Sequence, residues 1–375
     1  MKNNEFEEVF KFIKENDPSI EYFGRILGKG SYGQVRDVKI KNISKVLSAK
    51  LIFYEDKKDK KDKKEEMDES KLATELRGNN IVKINRTSKK EYKNKKYYLI
   101  IMEKALLRDL GKLNEFFHNH NLLKLITNPF SEKLGDNLLR FYTIQIIYGF
   151  ELLDRNYFVH FDIKPENLLM TLNLEVKIAD FSLLRKIKDL KSISIPGGTQ
   201  GFLSPEYFSK DSVSPEVARK QDYFALGSTL FYMKYGKAMF KYQKLEESNL
   251  NRDKIIDILQ KQMDFIKSRP FTDQDFINFL LKLFKMDPND RFNLEEIYRN
   301  KWLNKNKKFM ELLLSANDND EEKLIMELQK SDFLLKKKKD SNKKMKNFIF
   351  KKKEKKWNPF NKKGKKEKNW EKNIM

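Results

Sequence analysis

Hydrophobic residues alternate with polar ones over much of the first hundred positions, then recur at helical spacing beyond Glu103. The chain opens with Phe6, Val9, Phe10 and Ile13 on one helical face, and Asp17-Pro18 closes the stretch. An amphipathic helix is therefore expected over 5–16. From Tyr22 to Phe53 the pattern is strand-like, broken by a glycine-rich turn at 28–33 and polar residues near 41–45. The charge run 56–66 reads as a solvated loop feeding a helix over about 65–77. Two further strands, Ile81–Ile84 and Tyr97–Met102, flank a polar hairpin.

Beyond Glu103 the pattern turns helical. Leu139, Tyr142, Ile146, Phe150 and Leu153 mark a long helix over Leu138–Asn156, and Asp222–Tyr235, Lys254–Ile266 and Asp273–Phe284 predict three more. Residues 118–137 read as an insertion before the long helix, and 306–335 carry another helix-like segment. Strands first and helices later predict an α+β chain, a small sheet-rich lobe followed by a larger helical one.

Composition changes this picture mainly at the C-terminus. Residues 336–375 hold 18 Lys and 4 Asp or Glu, a net +14 of the chain's +23. The remaining 335 residues are only moderately basic. Such a tail is expected to be disordered and solvated. Its interleaved Phe348, Phe350, Trp357 and Trp370 also suit an anionic membrane, a nucleic acid or a calmodulin-like partner. The absence of cysteine excludes disulfides, thiolate catalysis and Cys-ligated zinc, and three histidines are a poor basis for a metal site. The acidic N-terminus lacks the apolar run of a signal peptide, and no 18-residue apolar stretch occurs. An intracellular, cytoplasmic protein is expected, with a nuclear alternative from the lysines of 336–346.

Three groups of residues carry chemistry. Gly28-Lys29-Gly30-Ser31-Tyr32-Gly33-Gln34-Val35 lies between strand-like runs, where glycines let backbone N–H groups approach phosphates. Lys50 follows in an apolar strand and needs an anionic partner there. His160-Phe161-Asp162-Ile163-Lys164-Pro165-Glu166-Asn167 precedes Asp180-Phe181-Ser182. A carboxylate, a lysine, an amide and a second carboxylate suit a site that handles a triphosphate, metal ions and a hydroxyl.

In this order and spacing the segments resemble those of eukaryotic protein kinases, over about residues 20–303. The resemblance implies a two-lobed fold, with a small antiparallel-sheet N-lobe bearing one main helix (about 20–102) and a larger helical C-lobe (about 105–303). Residues 1–19 would then form an N-terminal extension, 304–335 a helical extension and 336–375 the basic tail. It implies ATP and Mg²⁺ as cofactors and protein Ser/Thr hydroxyls as acceptors. By the same resemblance Asp162 orients the hydroxyl, Lys164 neutralises the γ-phosphate, and Asn167 and Asp180 hold the metal. Lys50 would meet the α/β-phosphates and a helix glutamate, best matched by Glu69, with Glu66 as the alternative. The nucleotide would lie among Leu27, the 28–33 loop, Val35, Ser48, Met102, Glu103, Ala105 and Leu169. Gly198-Thr199 and Ser204-Pro205-Glu206 resemble the substrate-docking end of the family's activation segment. Arg291 is expected to pair with Glu206.

The chain also departs from the family pattern. Phe161 stands where the family usually has Arg, and Ser182 where it usually has Gly. Phe161 cannot bind a phosphate, so activity is expected not to require phosphorylation of Ser192 or Ser194. Ser182 is expected to stiffen the Asp180-Phe181 turn of an active enzyme, the alternative being weakened metal binding and a pseudokinase scaffold that binds nucleotide or partners without transfer.

Overall fold

The computed structural model describes residues 3–29, 33–54, 76–105, 109–112, 132–171, 175–209, 211–236, 252–268 and 273–305. The expected helix over 65–77 with Glu66 and Glu69, the loop residues Gly30, Ser31 and Tyr32, most of the 118–137 insertion, and everything beyond 305 lie outside them.

Five antiparallel strands form the small lobe: β1 (Ile20–Lys29), β2 (Gly33–Ile40), β3 (Leu47–Tyr54), β4 (Ile84–Tyr92) and β5 (Lys95–Met102), in spatial order β1-β2-β3-β5-β4. The period of two decides which side chains face which way. Ala49, Leu51, Tyr97, Leu99 and Ile101 point to one face, against Phe6, Val9, Phe10 and Ile13 of helix α1 (Asn3–Asn16). Ile52, Ile84, Ile100 and Met102 point to the other face and join the core of the helical lobe. The helix expected over 5–16 is thus present and roofs the sheet. Arg86 on β4 pairs with Asp17 at 2.9 Å just beyond it.

One strand differs from expectation. The segment read as Ile81–Ile84 is not a strand: Ile81 makes only an isolated bridge to Ile178, and β4 begins at Ile84 and runs through the polar residues to Tyr92. β4 is an edge strand with a solvated side, where polar residues cost little. Lys93 and Asn94, at φ 50° and 59°, make the tight turn into β5.

In the helical lobe α2 (Glu132–Arg155) is followed by β6 (Phe158–Val159), β7 (Leu168–Met170), β8 (Val176–Ile178) and β9 (Arg185–Lys186). Then come α3 (Pro215–Tyr235), α4 (Arg252–Lys267), α5 (Gln274–Leu283) and α6 (Leu294–Tyr298). The four helices read from periodicity are all present, α2 and α3 starting earlier than expected. Ser214 caps α3, with Pro215 at its first position and Gly236 closing it at φ 67°. Between α2 and α3 the short strands hold the chemistry-bearing loops. Among the described residues no helix is long and apolar enough to cross a membrane.

Candidate active site

The 160–167 loop sits between two strands and is fixed from behind. β6 pairs with β9, and β7 pairs with β8. Asp222 on α3 accepts the backbone N–H groups of His160 at 2.8 Å and Phe161 at 2.9 Å. Phe161 can therefore hold a left-handed backbone, φ 64°, that a bulky residue rarely adopts. Burial pushes the Asp222 carboxyl up to about 7, against the pull of the two N–H groups. The buried imidazole of His160 takes one tautomer: Nδ1 accepts the Asp162 N–H at 3.2 Å, leaving Nε2–H to donate to the Ala179 carbonyl at 3.0 Å. Burial lowers its pKa.

On this frame four side chains converge. Asp162 Oδ2 accepts from Lys164 Nζ at 2.8 Å and from Asn167 Nδ2 at 2.9 Å. Its Oδ1 accepts the Thr199 hydroxyl at 2.6 Å and the Thr199 N–H at 3.1 Å. Lys164 Nζ also donates to Thr199 Oγ1, at 2.6 Å. Gly198 brings Thr199 in. At φ 152° it passes so close that a Cβ there would lie 2.8 Å from the Phe161 carbonyl oxygen.

The second carboxylate lies across the cleft from the sheet. Lys50 Nζ sits 2.5 Å from Asp180 Oδ1, joining β3 to the helical lobe over 130 positions of sequence. The anionic partner that an ammonium in an apolar strand requires is here Asp180. Burial alone would raise the Asp180 pKa, but the Lys50 charge, with hydrogen bonds from Lys50 and from Ser182, draws it down to about 2. Its side chain keeps 35% exposure, and the lowered pKa leaves it ionised at neutral pH.

Of the residues expected around the base, Val35, Ser48 and Met102 share one sheet face. Val35 stands opposite Lys50, and Ser48 opposite Met102. Leu169 alternates with the buried Leu168 and Met170 and is itself only half-buried. Leu27, Gly28 and Lys29 end β1, with Gly28 opposite Val35 and Lys29 opposite Gln34. Gly33 opens β2 so close to β3 that a Cβ would lie 2.8 Å from the Leu51 carbonyl oxygen. Glu103 and Ala105 continue from β5 into the connection between the lobes.

The donor set suits a hard cation. Asn167 spends its Nδ2 on the Asp162 carbonyl and carboxylate, which turns its amide oxygen away from both. An amide oxygen with an ionised carboxylate matches the few protein ligands that Mg²⁺ takes when phosphate oxygens complete its shell. Among the described residues no three His, Asp or Glu side chains converge on a metal position.

Residues 22–303 match the model of the protein kinase domain, three quarters of the chain. The chain belongs to the protein kinase family. That family generally uses ATP and Mg²⁺. Its kinase domain is similar to the serine/threonine-protein kinase MRCK alpha of Mus musculus, 27% identical over 60% of this chain and 12% of that protein. It is also similar to the Aurora kinase of Saccharomyces cerevisiae, 27% identical over 77% of this chain and 70% of that protein. A probable serine/threonine-protein kinase of Dictyostelium discoideum, fhkE, is 25% identical over 82% of this chain and 41% of that protein. This chain thus spans about an eighth of the MRCK relatives it matches.

Reading the sequence alone missed several members of the kinase site. Thr199, expected only at the substrate-docking end of its segment, touches both Asp162 and Lys164. His160 carries no sign of its role in the sequence. The hydroxyl of Ser182 bonds to Asp180, a contact its position two residues later could have suggested. The expected Glu206–Arg291 pair is present and two-pronged, at 2.6 and 2.7 Å, with the arginine fully buried.

Proposed function

We propose that this kinase domain transfers the γ-phosphate of ATP to Ser and Thr hydroxyls of proteins. The observation that carries the reading is the cluster in which Asp162 binds Lys164, Asn167 and Thr199. Asp162 orients the acceptor hydroxyl and takes its proton. Lys164 sets a positive charge where negative charge builds during transfer. Asn167 and Asp180 would hold Mg²⁺, which when bound neutralises phosphate charge. Lys50 would hold the α/β-phosphates, with Glu69 as its proposed helix partner. Val35, Ser48, Met102 and Leu169 would bracket the base, and the Glu103 carbonyl and Ala105 N–H would meet its edge.

The Lys164–Thr199 contact supports Ser/Thr acceptors, since the lysine and threonine are the residues that mark that branch of the family. Glu166 is exposed and lies with Asp109 around Gly111, so a basic residue near the acceptor is favoured.

Phe161 replaces the arginine that commonly receives an activation-segment phosphate. Its ring is 2% exposed and packs with Val159, Ile187 and Ala218, joined by Leu183, Leu190, Ile193, Ile195 and Val213. Ile193 and Val213 exchange backbone hydrogen bonds of 2.8 and 2.9 Å. Apolar packing thus does the ordering that a phosphate would otherwise do.

The test is phosphotransfer to a generic Ser/Thr protein substrate by wild type and by Asp162→Asn. Loss of about a hundredfold or more in the variant supports the mechanism. Transfer that survives the substitution overturns it. Wild-type protein that binds Mg-ATP without transferring phosphate would instead be a pseudokinase scaffold.

A further inference from the structure

Glu103 and Lys104, adjacent in the connection between the lobes, carry opposite charges and reach in opposite directions. Glu103 Oε1 lies 3.1 Å from Lys177 Nζ on β8 in the helical lobe, and accepts the Lys83 N–H at 2.7 Å. Lys104 Nζ lies 2.5 Å from Asp37 Oδ1 on β2 in the sheet. Both side chains of this second pair are nearly enclosed, at 9% and 5% exposure. A lysine so enclosed needs a counter-charge. The contact with that oxygen is one of charge, without the alignment of a hydrogen bond. The other Asp37 oxygen accepts Arg25 Nε of β1 at 3.1 Å, so the carboxylate is held from two sides.

Asp37 stands opposite Ser48, and Ser48 opposite Met102. Cross-strand partners share a face, so Asp37 belongs to the sheet face expected around the base. The short peptide 103–105 is therefore held from both lobes at once. Its main chain is tied as well, by the Glu103 N–H donating to the Lys83 carbonyl at 2.9 Å.

We infer that Lys104 and Asp37 are positioning residues of the nucleotide site. Their ion pair holds the 103–105 peptide so that the Glu103 carbonyl and the Ala105 N–H face a purine edge. The inference rests on the nucleotide reading above. Neither side chain touches the reacting phosphates. Their loss therefore weakens adenosine as much as ATP, whereas a lesion at Lys50 or Asp180 weakens ATP alone.

The experiment measures adenosine and Mg-ATP binding by calorimetry on the full chain. It compares wild type, Lys104→Met, Asp37→Asn and the double variant Asp37→Leu/Lys104→Met. Each single change is expected to weaken both ligands by roughly five- to tenfold, and the double by no more than the worse single, the mark of one shared interaction. In turnover KM for ATP rises by the same factor while kcat stays within about twofold. Melting of the ligand-free proteins identifies a single variant that has not folded. The double variant, which leaves neither member of the pair without its counter-charge, then carries the test. Adenosine binding by the double variant within about twofold of wild type overturns the inference, as do single effects that multiply in the double. Wild type that binds neither ligand overturns the nucleotide reading itself.

Discussion

The carboxylate of Asp222 accepts the backbone N–H of Phe161 at 2.9 Å, a contact between positions 61 apart in sequence. With the His160 N–H on its other oxygen, it fixes the loop that carries Asp162. Asp222→Asn would turn an amide NH₂ toward one of these donors. Leaving a buried donor unpaired costs about 1–3 kcal/mol. We expect a lower midpoint in urea unfolding and a fall in phosphotransfer larger than any change in ATP binding.

Gly198 is the position where the substrate-side segment crosses the loop. Gly198→Ala forces a Cβ to within 2.8 Å of the Phe161 carbonyl oxygen at a φ of 152°, so the two segments must separate. Thr199 then leaves Asp162. Phosphotransfer should fall by about tenfold or more, while Mg-ATP binding, measured by thermal shift, changes little.

The apolar cluster around Phe161 makes a prediction about control. Ser192→Ala/Ser194→Ala should retain phosphotransfer, because Ile193 and Val213 hold the segment without a phosphate. Phe161→Ala should destabilise the domain by about 3 kcal/mol or more and lower activity with it. An inactive but folded double serine variant would refute the reading.

His160 sets a pH dependence of stability. Its folded pKa is depressed by burial, so below the unfolded value of 6.5 the unfolded chain binds a proton that the folded chain does not. Its contribution is present above that pH and lost as pH falls below it. Asp222 works in the opposite sense, because its raised pKa makes the folded chain take up a proton below about 7. The readout is therefore a difference. His160→Asn should lose less stability than wild type on acidification from about pH 6.5 to 5, measured by urea unfolding at each pH.

Helix α1 owes its place to apolar burial more than to charge. Phe10 is 2% exposed and packs against Phe23 with tilted ring planes and centroids 4.7 Å apart. The Glu8–Lys93 pair is exposed on both sides and adds little. Phe10→Ala should cost about 3–5 kcal/mol in chemical denaturation, whereas Glu8→Ala should leave the midpoint nearly unchanged.

Much of the architecture is legible along the chain because period carries it. Alternation places Ser48 and Lys50 on one face of β3, and the 3.6-residue period marks α1 through α5. The loop residues Asp162, Lys164 and Asn167 could be picked out because they lie within six positions and meet locally. β4 escaped because its polar residues look like a hairpin until a neighbouring strand supplies its hydrogen bonds. Nothing in the sequence around Lys104 points to Asp37, 67 positions earlier, as its partner.

The sequence by itself determined the order of the long helices and, β4 apart, of the sheet strands, the faces they bury and the residue types able to handle a phosphate. These depend on short-range sterics and on hydrophobic spacing, which neighbouring residues settle among themselves. Only the tertiary structure decided the partners: Lys50 with Asp180, Asp162 with Thr199, Phe161 with Asp222, and Lys104 with Asp37. Each joins segments far apart in the chain. A buried charge or N–H takes the counter-group that folding brings within reach, and no local pattern records which one that is.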